Sequence, residues 1–309
     1  MADLSRRDLL TMASAGALML SRVNRAVSSS VDLVSMPVGL ELYPLNEELA
    51  KDPEGTLRKV AEIGFRRVEL PSLYGAKPEQ IKQMLVKAGL DCISAGTLSN
   101  PLAPGMRSLE THAEEIFAEF RELGVTYIVN LLPPLPASKR AGPVESAYDT
   151  LTVADWHEAA AFLNEMGRKA RAHGLRLAHH NHHYEFSPLE RTTGFEILIR
   201  ATDPAFVEFE LDCAFVAAMG FDPAAMLRRH AARIALLHLK DIEARKVAGK
   251  PLQMVALGQG IINWPPVFRA MRRSNIKQYY IELEPPFKKP VFDSLTDSYR
   301  YLVTGLKKV

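Results

Sequence analysis

The sequence is poor in the features that mark several large classes of protein. Its 309 residues contain only two cysteines, Cys92 and Cys213, too few for a disulfide framework, and we interpret both as small core residues on strands. Basic residues are dispersed and the formal net charge is only +2, so the chain lacks an electrostatic footprint for nucleic acid. No glycine-rich phosphate loop follows any apolar run, which disfavours a dinucleotide-binding open sheet.

The first thirty residues differ from the rest: MADLSRRDLLTMASAGALMLSRVNRAVSSS. A paired arginine, Arg6-Arg7, precedes a short Ala- and Gly-containing apolar stretch, and small residues surround Ala26. This layout is typical of a bacterial twin-arginine export signal, and the apolar part is too short for a membrane span. We therefore expect residues 1–30 to be a signal segment and the protein to be exported to the periplasm or beyond, without stable membrane insertion. An ordinary amphipathic helix is the alternative.

A single rhythm repeats through the rest of the chain, with 47% hydrophobic and 24% charged residues overall. Short β-branched or apolar runs alternate with stretches of helical periodicity. The predicted strands are 38–43, 66–70, 91–95, 125–132, 175–181, 206–213, 234–240 and 278–284. The predicted helices are 54–63, 78–88, 108–123, 154–173, 193–201, 222–230, 264–274 and 293–307. Eight such alternations predict an α/β protein with one (β/α)8 barrel domain, residues 36–309; a doubly wound open sheet is the alternative.

Helix ends and loops agree with this division. Gly64, Gly89, Gly124 and Gly174 each follow a helical stretch, where a left-handed cap is expected. Asp155 and Asp222 suit helix starts. The stretches 133–153 and 242–263 are predicted to be extended loops after the fourth and seventh strands.

Polar residues recur where the predicted strands end, which is where the chemistry of such barrels lies. The most unusual of these ends is LAHHNHHYEF, residues 177–186, with four histidines and a glutamate. The other strand ends carry Glu69, Asn130, Glu210, Asp212, His238, Lys240, Asp241, Glu282 and Glu284. Apolar residues would otherwise close a core at these positions.

Carboxylates and imidazoles converging from adjacent strands favour one divalent metal ion of the Mn, Zn, Co or Mg kind. Asp212, His238 and Glu282 supply three ligands and the histidine cluster the fourth. Because side chains alternate along a strand, His180 and His182 share one face; we assign His180 as the ligand and His182 as the group that faces substrate. The alternative interpretations are that the histidines are ordinary core residues, that Glu210 forms a structural ion pair, that Glu284 only faces solvent, and that Lys240 only neutralises the charge of Asp241.

These residues resemble the sugar phosphate isomerase/epimerase group, the xylose isomerase-like TIM barrels. The resemblance covers nearly all of the chain after the signal and lies in six stretches: GFRRVEL (64–70), GLRLAHHNHHYEF (174–186), ELDCAFV with GFDPAAML (210–227), RIALLHLKD (233–241), ALGQGIINWPPVF (256–268) and QYYIELE (278–284). Many relatives have a glutamate on the middle strand where this chain has histidines. Relatives with an HNH motif usually continue with aspartate, where this chain has His183.

The resemblance implies proton abstraction next to a carbonyl, with the metal stabilising an enediolate. It makes Glu282 both ligand and base. His182 is our candidate for a second acid/base group, because imidazole exchanges protons near neutral pH. Lys240 is expected to hold a substrate hydroxyl or an oxyanion. The candidate substrate contacts are Glu69, Glu185, Asn130 and Trp264, with Tyr43 and Trp264 as sugar-stacking faces or, equally, as packing residues.

The first functional hypothesis is an isomerase or epimerase of a non-phosphorylated sugar or keto-sugar, since export argues against a phosphorylated substrate. A lyase or dehydratase acting on a keto-sugar, keto-inositol or 3-keto-glycoside is the close alternative, because elimination begins with the same enolisation. A non-catalytic carbohydrate-binding protein would not need the ligand set, and a DNA repair enzyme on the same barrel would need a basic groove. The expected partners are a small sugar-like substrate and a second copy of the chain in a homo-oligomer.

Overall fold

Eight parallel strands form a closed barrel in the computed structural model, which describes residues 31–140, 144–247 and 250–309. The predicted signal segment, residues 1–30, lies outside this part of the chain. The barrel strands are β1 (Gly39–Glu41), β2 (Arg67–Leu70), β3 (Asp91–Thr97), β4 (Tyr127–Asn130), β5 (Arg176–His180), β6 (Val207–Asp212), β7 (Ile234–Leu239) and β8 (Gln278–Ile281). Each strand pairs with its neighbour in sequence, and β1 closes the barrel on β8. The predicted (β/α)8 barrel is confirmed.

Helices follow the strands in the predicted alternation. They are α1 (Asn46–Lys51), α2 (Pro53–Ile63), α3 (Pro78–Ala88), α4 (Leu109–Leu123), α5 (Val144–Tyr148), α6 (Val153–Ala172), α7 (Gly194–Ala201), α8 (Cys213–Ala218), α9 (Pro223–Arg229), α10 (Trp264–Arg272) and α11 (Val291–Leu306). None of the helices in the described part of the chain is both long and apolar enough to cross a membrane.

The ends of the helices are set by local chemistry. Gly89 and Gly124 adopt the left-handed conformation as caps of α3 and α4, as predicted. Asp222 caps α9 by accepting a hydrogen bond from the Ala224 backbone. Asp155 lies in the first turn of α6, as predicted for a helix start. Thr152 is the capping residue and exchanges hydrogen bonds with Asp155 in a capping box.

Two predicted features need correction. The stretch 133–153 contains the short helix α5, and 242–263 is tied back by a two-residue strand pair, Asp241–Ile242 with Met254–Val255. Cys213 is buried at the first turn of α8 rather than on a strand, while Cys92 lies on β3 as predicted. Cys213 leaves the strand because Asp212 accepts a hydrogen bond from the Phe215 backbone and starts a helix there.

The core has two parts. The larger part lies between the strands and the surrounding helices. A smaller cluster fills the barrel itself and consists of Tyr127, Val129, Ala178, Ala235, Leu236 and Tyr280. These apolar side chains fill the barrel below the carboxyl ends of the strands. The polar residues at those ends therefore line a pocket that is closed at its base, not a channel through the barrel.

We predict that Gly167→Ala destabilises the fold by about 2 kcal/mol, although alanine is the better helix former. Gly167 lies inside α6, and a Cβ there would stand 2.4 Å from the carbonyl oxygen of Phe206. Chemical denaturation measures the change, with Glu158→Ala on the exposed face of the same helix as the control. An unchanged or higher stability of Gly167→Ala would contradict this account of how α6 packs.

Candidate metal centre and active site

Strand register brings the candidate ligands together at the open end of the barrel. His180 on β5 pairs with Glu210 on β6, and Asp212 pairs with His238 on β7. His180, Asp212 and His238 each place one ligand atom within 4.8 Å of the other two, and all three residues are buried. Glu282 follows β8, and its Oε2 lies 2.6 Å from Nδ1 of His238. The structure therefore assembles the four residues predicted as metal ligands.

The atoms that face one another in this group fit a cation. Asp212 Oδ2, His238 Nδ1 and Glu282 Oε2 are buried, and their close polar contacts are ion-pair contacts with Lys240 or with one another rather than well-aligned hydrogen bonds. The Nδ1 of His180 lies 3.1 Å from Glu210 Oε2, which leaves its Nε2 for a metal. Two imidazole nitrogens and two carboxylates form a donor set that Zn, Mn or Co accepts. Buried polar atoms without well-aligned hydrogen bonds are costly, and one divalent cation would satisfy them together.

His238 is held from the side opposite Glu282. Its Nε2 lies 2.8 Å from Glu69 Oε1 and 3.2 Å from Glu210 Oε1, and Glu69 also accepts a hydrogen bond from Ser94. Carboxylates on the remote nitrogen fix the orientation of a ligating imidazole. Glu69, predicted to contact substrate, is 1% exposed and instead positions His238. Burial and the neighbouring Glu69 raise the pKa of Glu210 to about 8, so Glu210 can hold a proton at neutral pH.

Lys240 occupies the centre of the mouth. Its ammonium lies 3.0 Å from Asp212, 2.8 Å from Glu282 and 2.6 Å from Glu284. Burial opposes its charge, but these carboxylates raise the pKa of Lys240 well above its usual value. Although burial also opposes ionisation of Glu282, Lys240 and His238 hold the pKa of Glu282 at about 2. The ion pairs of Lys240 in the described part of the chain are with these three carboxylates and not with Asp241, which accepts a hydrogen bond from Trp264 instead.

His182 faces the cavity that leads out of the barrel. Its ring packs on Phe215 at 4.7 Å between centroids and lies 4.9 Å from the ring of His180. Burial, with Lys240 nearby, lowers the pKa of His182 well below its usual value. The imidazole is therefore neutral at pH 7.

The cavity itself measures about 880 Å³. The residues that line it in the described part of the chain are Asp149, His182, His183, Tyr184, Ser187, Phe215, Met219, Lys246, Lys250, Pro251, Leu252, Met254, Glu284 and Pro285. Glu284, which accepts a hydrogen bond from the buried Lys240, lies on one side of it, and aromatic rings form much of the wall. This lining suits a polyhydroxylated ring with one apolar face. Phe215 was not predicted to line the site. It lies three residues after Asp212, the carboxylate at the end of β6, and that position could have indicated it.

Asn130 and Glu185, predicted as substrate contacts, form a buried support behind the histidine cluster. Asn130 donates to Nδ1 of His179, and Nε2 of His179 lies 3.1 Å from Glu185 Oε1. The other oxygen of Glu185 accepts a hydrogen bond from the His182 backbone at 3.0 Å. Both Asn130 and Glu185 are 0% exposed, so they hold the loop that carries His182 rather than meeting a ligand.

Trp264 and Asp241 form a second support. Trp264 is fully buried, and its indole nitrogen donates to Asp241 at 2.8 Å, so the structure favours the packing alternative over sugar stacking. Asp241 also accepts hydrogen bonds from the backbone of Ile242, Gly258, Gly260 and Ile262. A Cβ on Gly260 would lie 2.2 Å from Asp241, which explains the glycine. Tyr43, by contrast, is 43% exposed at the mouth.

Comparison with known proteins agrees with this geometry. The sequence profile of the xylose isomerase-like TIM barrels matches residues 57–304. The inosose dehydratase of Bacillus anthracis is 28% identical over 264 residues, which are 77% of this chain and 84% of that enzyme. The inosose dehydratase of Geobacillus kaustophilus is 25% identical over 191 residues, and the chain spans only 61% of that enzyme.

Solved structures share the fold. A sugar phosphate isomerase/epimerase from Parabacteroides distasonis superposes with a TM-score of 0.68 at 24% identity, covering 90% of this chain and 97% of that one. The IolI protein, solved with a zinc atom, superposes with a TM-score of 0.65 at 16% identity, covering 88% and 99%.

We predict that the purified protein holds about one divalent metal per chain, and that His180→Ala loses most of it because one of four ligands is removed. Elemental analysis after reconstitution with Mn or Zn measures the content. His157→Ala, on the exposed face of α6, is the control and should keep wild-type content. Full occupancy in His180→Ala would move the fourth ligand to another residue.

Proposed function

Since the chain belongs to the xylose isomerase-like TIM barrels, we propose that it is a divalent-metal-dependent enzyme that enolises a keto-sugar or keto-polyol and expels water or another leaving group from the adjacent carbon. The observation that carries the proposal is the convergence of His180, Asp212, His238 and Glu282 beside Lys240. The cation held by these four residues would polarise the substrate carbonyl as a Lewis acid.

His182 is the proposed base. Its neutral imidazole lines the cavity within ring contact of His180, so it can reach a carbon next to a carbonyl held at the centre. Phe215 packs on the ring and Glu185 fixes the backbone, which holds the imidazole in one orientation.

Lys240 is the proposed acid. It is protonated, fully buried and hydrogen-bonded to Glu284, which lines the cavity, so it could donate to a departing hydroxyl or hold the developing oxyanion. A base and an acid of different kinds at one centre favour elimination, in which one carbon loses a proton and its neighbour loses a leaving group. Isomerisation or epimerisation instead returns a proton to carbon and expels no leaving group.

The relatives support elimination in the same way, since both curated relatives named above are dehydratases. Isomerisation or epimerisation is the second candidate, because Glu282 and His182 could serve as its two groups.

We also propose that the protein is exported by the twin-arginine route, as Arg6 and Arg7 indicate. The test is cell fractionation of the wild type and of a variant with both arginines changed to lysine. Export predicts wild type in the periplasm and the variant retained in the cytoplasm. Wild type confined to the cytoplasm would sink the proposal.

We predict that the metal-loaded enzyme dehydrates keto-inositols or releases the aglycone of 3-keto-glycosides, and that His182→Asn lowers kcat by about 10²- to 10⁴-fold with unchanged metal content, because the proton acceptor is lost. Ultraviolet absorbance of the unsaturated or dicarbonyl product measures the rate, and deuterium incorporation from D2O measures enolisation. His157→Asn is the control. Deuterium exchange that yields only an isomer would favour the second candidate, and wild-type kcat in His182→Asn would remove His182 from the mechanism.

A further inference from the structure

Lys240 has two partners that are candidate metal ligands and one that is not. Its ammonium is 3.0 Å from Asp212 Oδ2 and 2.8 Å from Glu282 Oε2, yet neither oxygen receives a well-aligned hydrogen bond. The contact with Glu284, at 2.6 Å, is aligned as a hydrogen bond. The ammonium therefore makes an aligned hydrogen bond to Glu284 and close charge contacts with the two ligand oxygens.

A metal ion would compete for those two oxygens. The cation would bind Asp212 Oδ2 and Glu282 Oε2 directly, and these oxygens already lie within 3.0 Å of the ammonium. Two cations that share ligands repel each other strongly in a buried site. The Lys240 side chain is 0% exposed, so its ammonium cannot move into solvent when a metal binds. Its third carboxylate partner in the described part of the chain is Glu284, at the outer edge of the site.

We propose that Lys240 and Glu284 form a pair that sets how tightly the centre holds its metal. Lys240 neutralises the ligand carboxylates before the metal binds, and Glu284 retains the ammonium afterwards. The proposal rests on the metal site of the proposed function but not on its reaction. Glu284 is then a positioning residue that acts through Lys240.

The first test is the affinity of the metal-free full chain for Co²⁺, measured by isothermal titration without substrate. Lys240→Met keeps the length of the side chain and removes the charge, so it should bind Co²⁺ at least ~10-fold more tightly than wild type. Lys246→Met, the same change at the cavity rim, is the matched control and should shift affinity by less than about twofold. Unchanged or weaker Co²⁺ binding by Lys240→Met would overturn the proposal.

The second test is Glu284→Gln in both backgrounds. With Lys240 present, the change should weaken Co²⁺ binding by about tenfold, because the ammonium loses the partner it keeps in the loaded site. In Lys240→Met the same change should cost no more than about threefold. An equal loss of Co²⁺ affinity in both backgrounds would mean that Glu284 acts only as one more negative charge near the metal. The proposed coupling between Glu284 and Lys240 would then be rejected.

Thermal unfolding of each metal-free variant checks that it is folded. If Lys240→Met does not fold, the Co²⁺ affinity of Glu284→Gln alone tests the proposal, because the Glu284 side chain is 30% exposed and tolerates the change. Wild-type affinity in Glu284→Gln would then overturn the proposal. Absence of Co²⁺ binding in wild type would overturn the metal site and this pair together, whereas tight binding without turnover would overturn only the reaction.

Discussion

An excess of buried negative charge at the barrel mouth is the constraint on which the rest of the site depends. The carboxylates there are Glu41, Glu69, Glu210, Asp212, Glu282 and Glu284. Lys240 is the one permanently charged cation described among them. Burying unpaired carboxylates is expensive, so the site keeps protons on some of them and needs a further cation for others. Burial raises the pKa of Glu41 and of Glu210 accordingly.

At the ends of β5 and β7, one residue lines the metal centre and its neighbour in sequence supports the surrounding loops. On β5, His180 faces the metal centre while His179 faces Asn130 and Glu185, which hold the loop of His182. After β7, Lys240 faces the centre while its neighbour Asp241 gathers the backbone amides of the following loop. Because side chains alternate between the two faces of a β-strand, adjacent residues can line the metal centre and support the loops around it.

Sequence alone predicted what periodicity and spacing determine. Strand and helix alternation gave the barrel, and the parity of β5 separated His180 from His179. Roles that depend on partners across the fold were less accessible. Glu69, Glu185 and Trp264 have residue types suited to sugar binding, but their side chains are committed to His238, His179 and Asp241. No local pattern records which distant group a strand-end side chain meets, so the sequence did not show that these side chains are hydrogen-bonded within the fold.

Anomalous diffraction from crystals grown with Mn or Zn tests the central claim most directly. The account predicts one strong peak per chain, bonded to His180 Nε2, Asp212 Oδ2, His238 Nδ1 and Glu282 Oε2, with Lys240 on Glu284. A peak bonded to Glu69, Glu210 and His238 Nε2, a second group in the described part of the chain that could hold a metal, would contradict the account, because the metal would then lie on the side of His238 opposite Asp212 and Glu282. No peak at either position would contradict a metal-dependent site in this barrel.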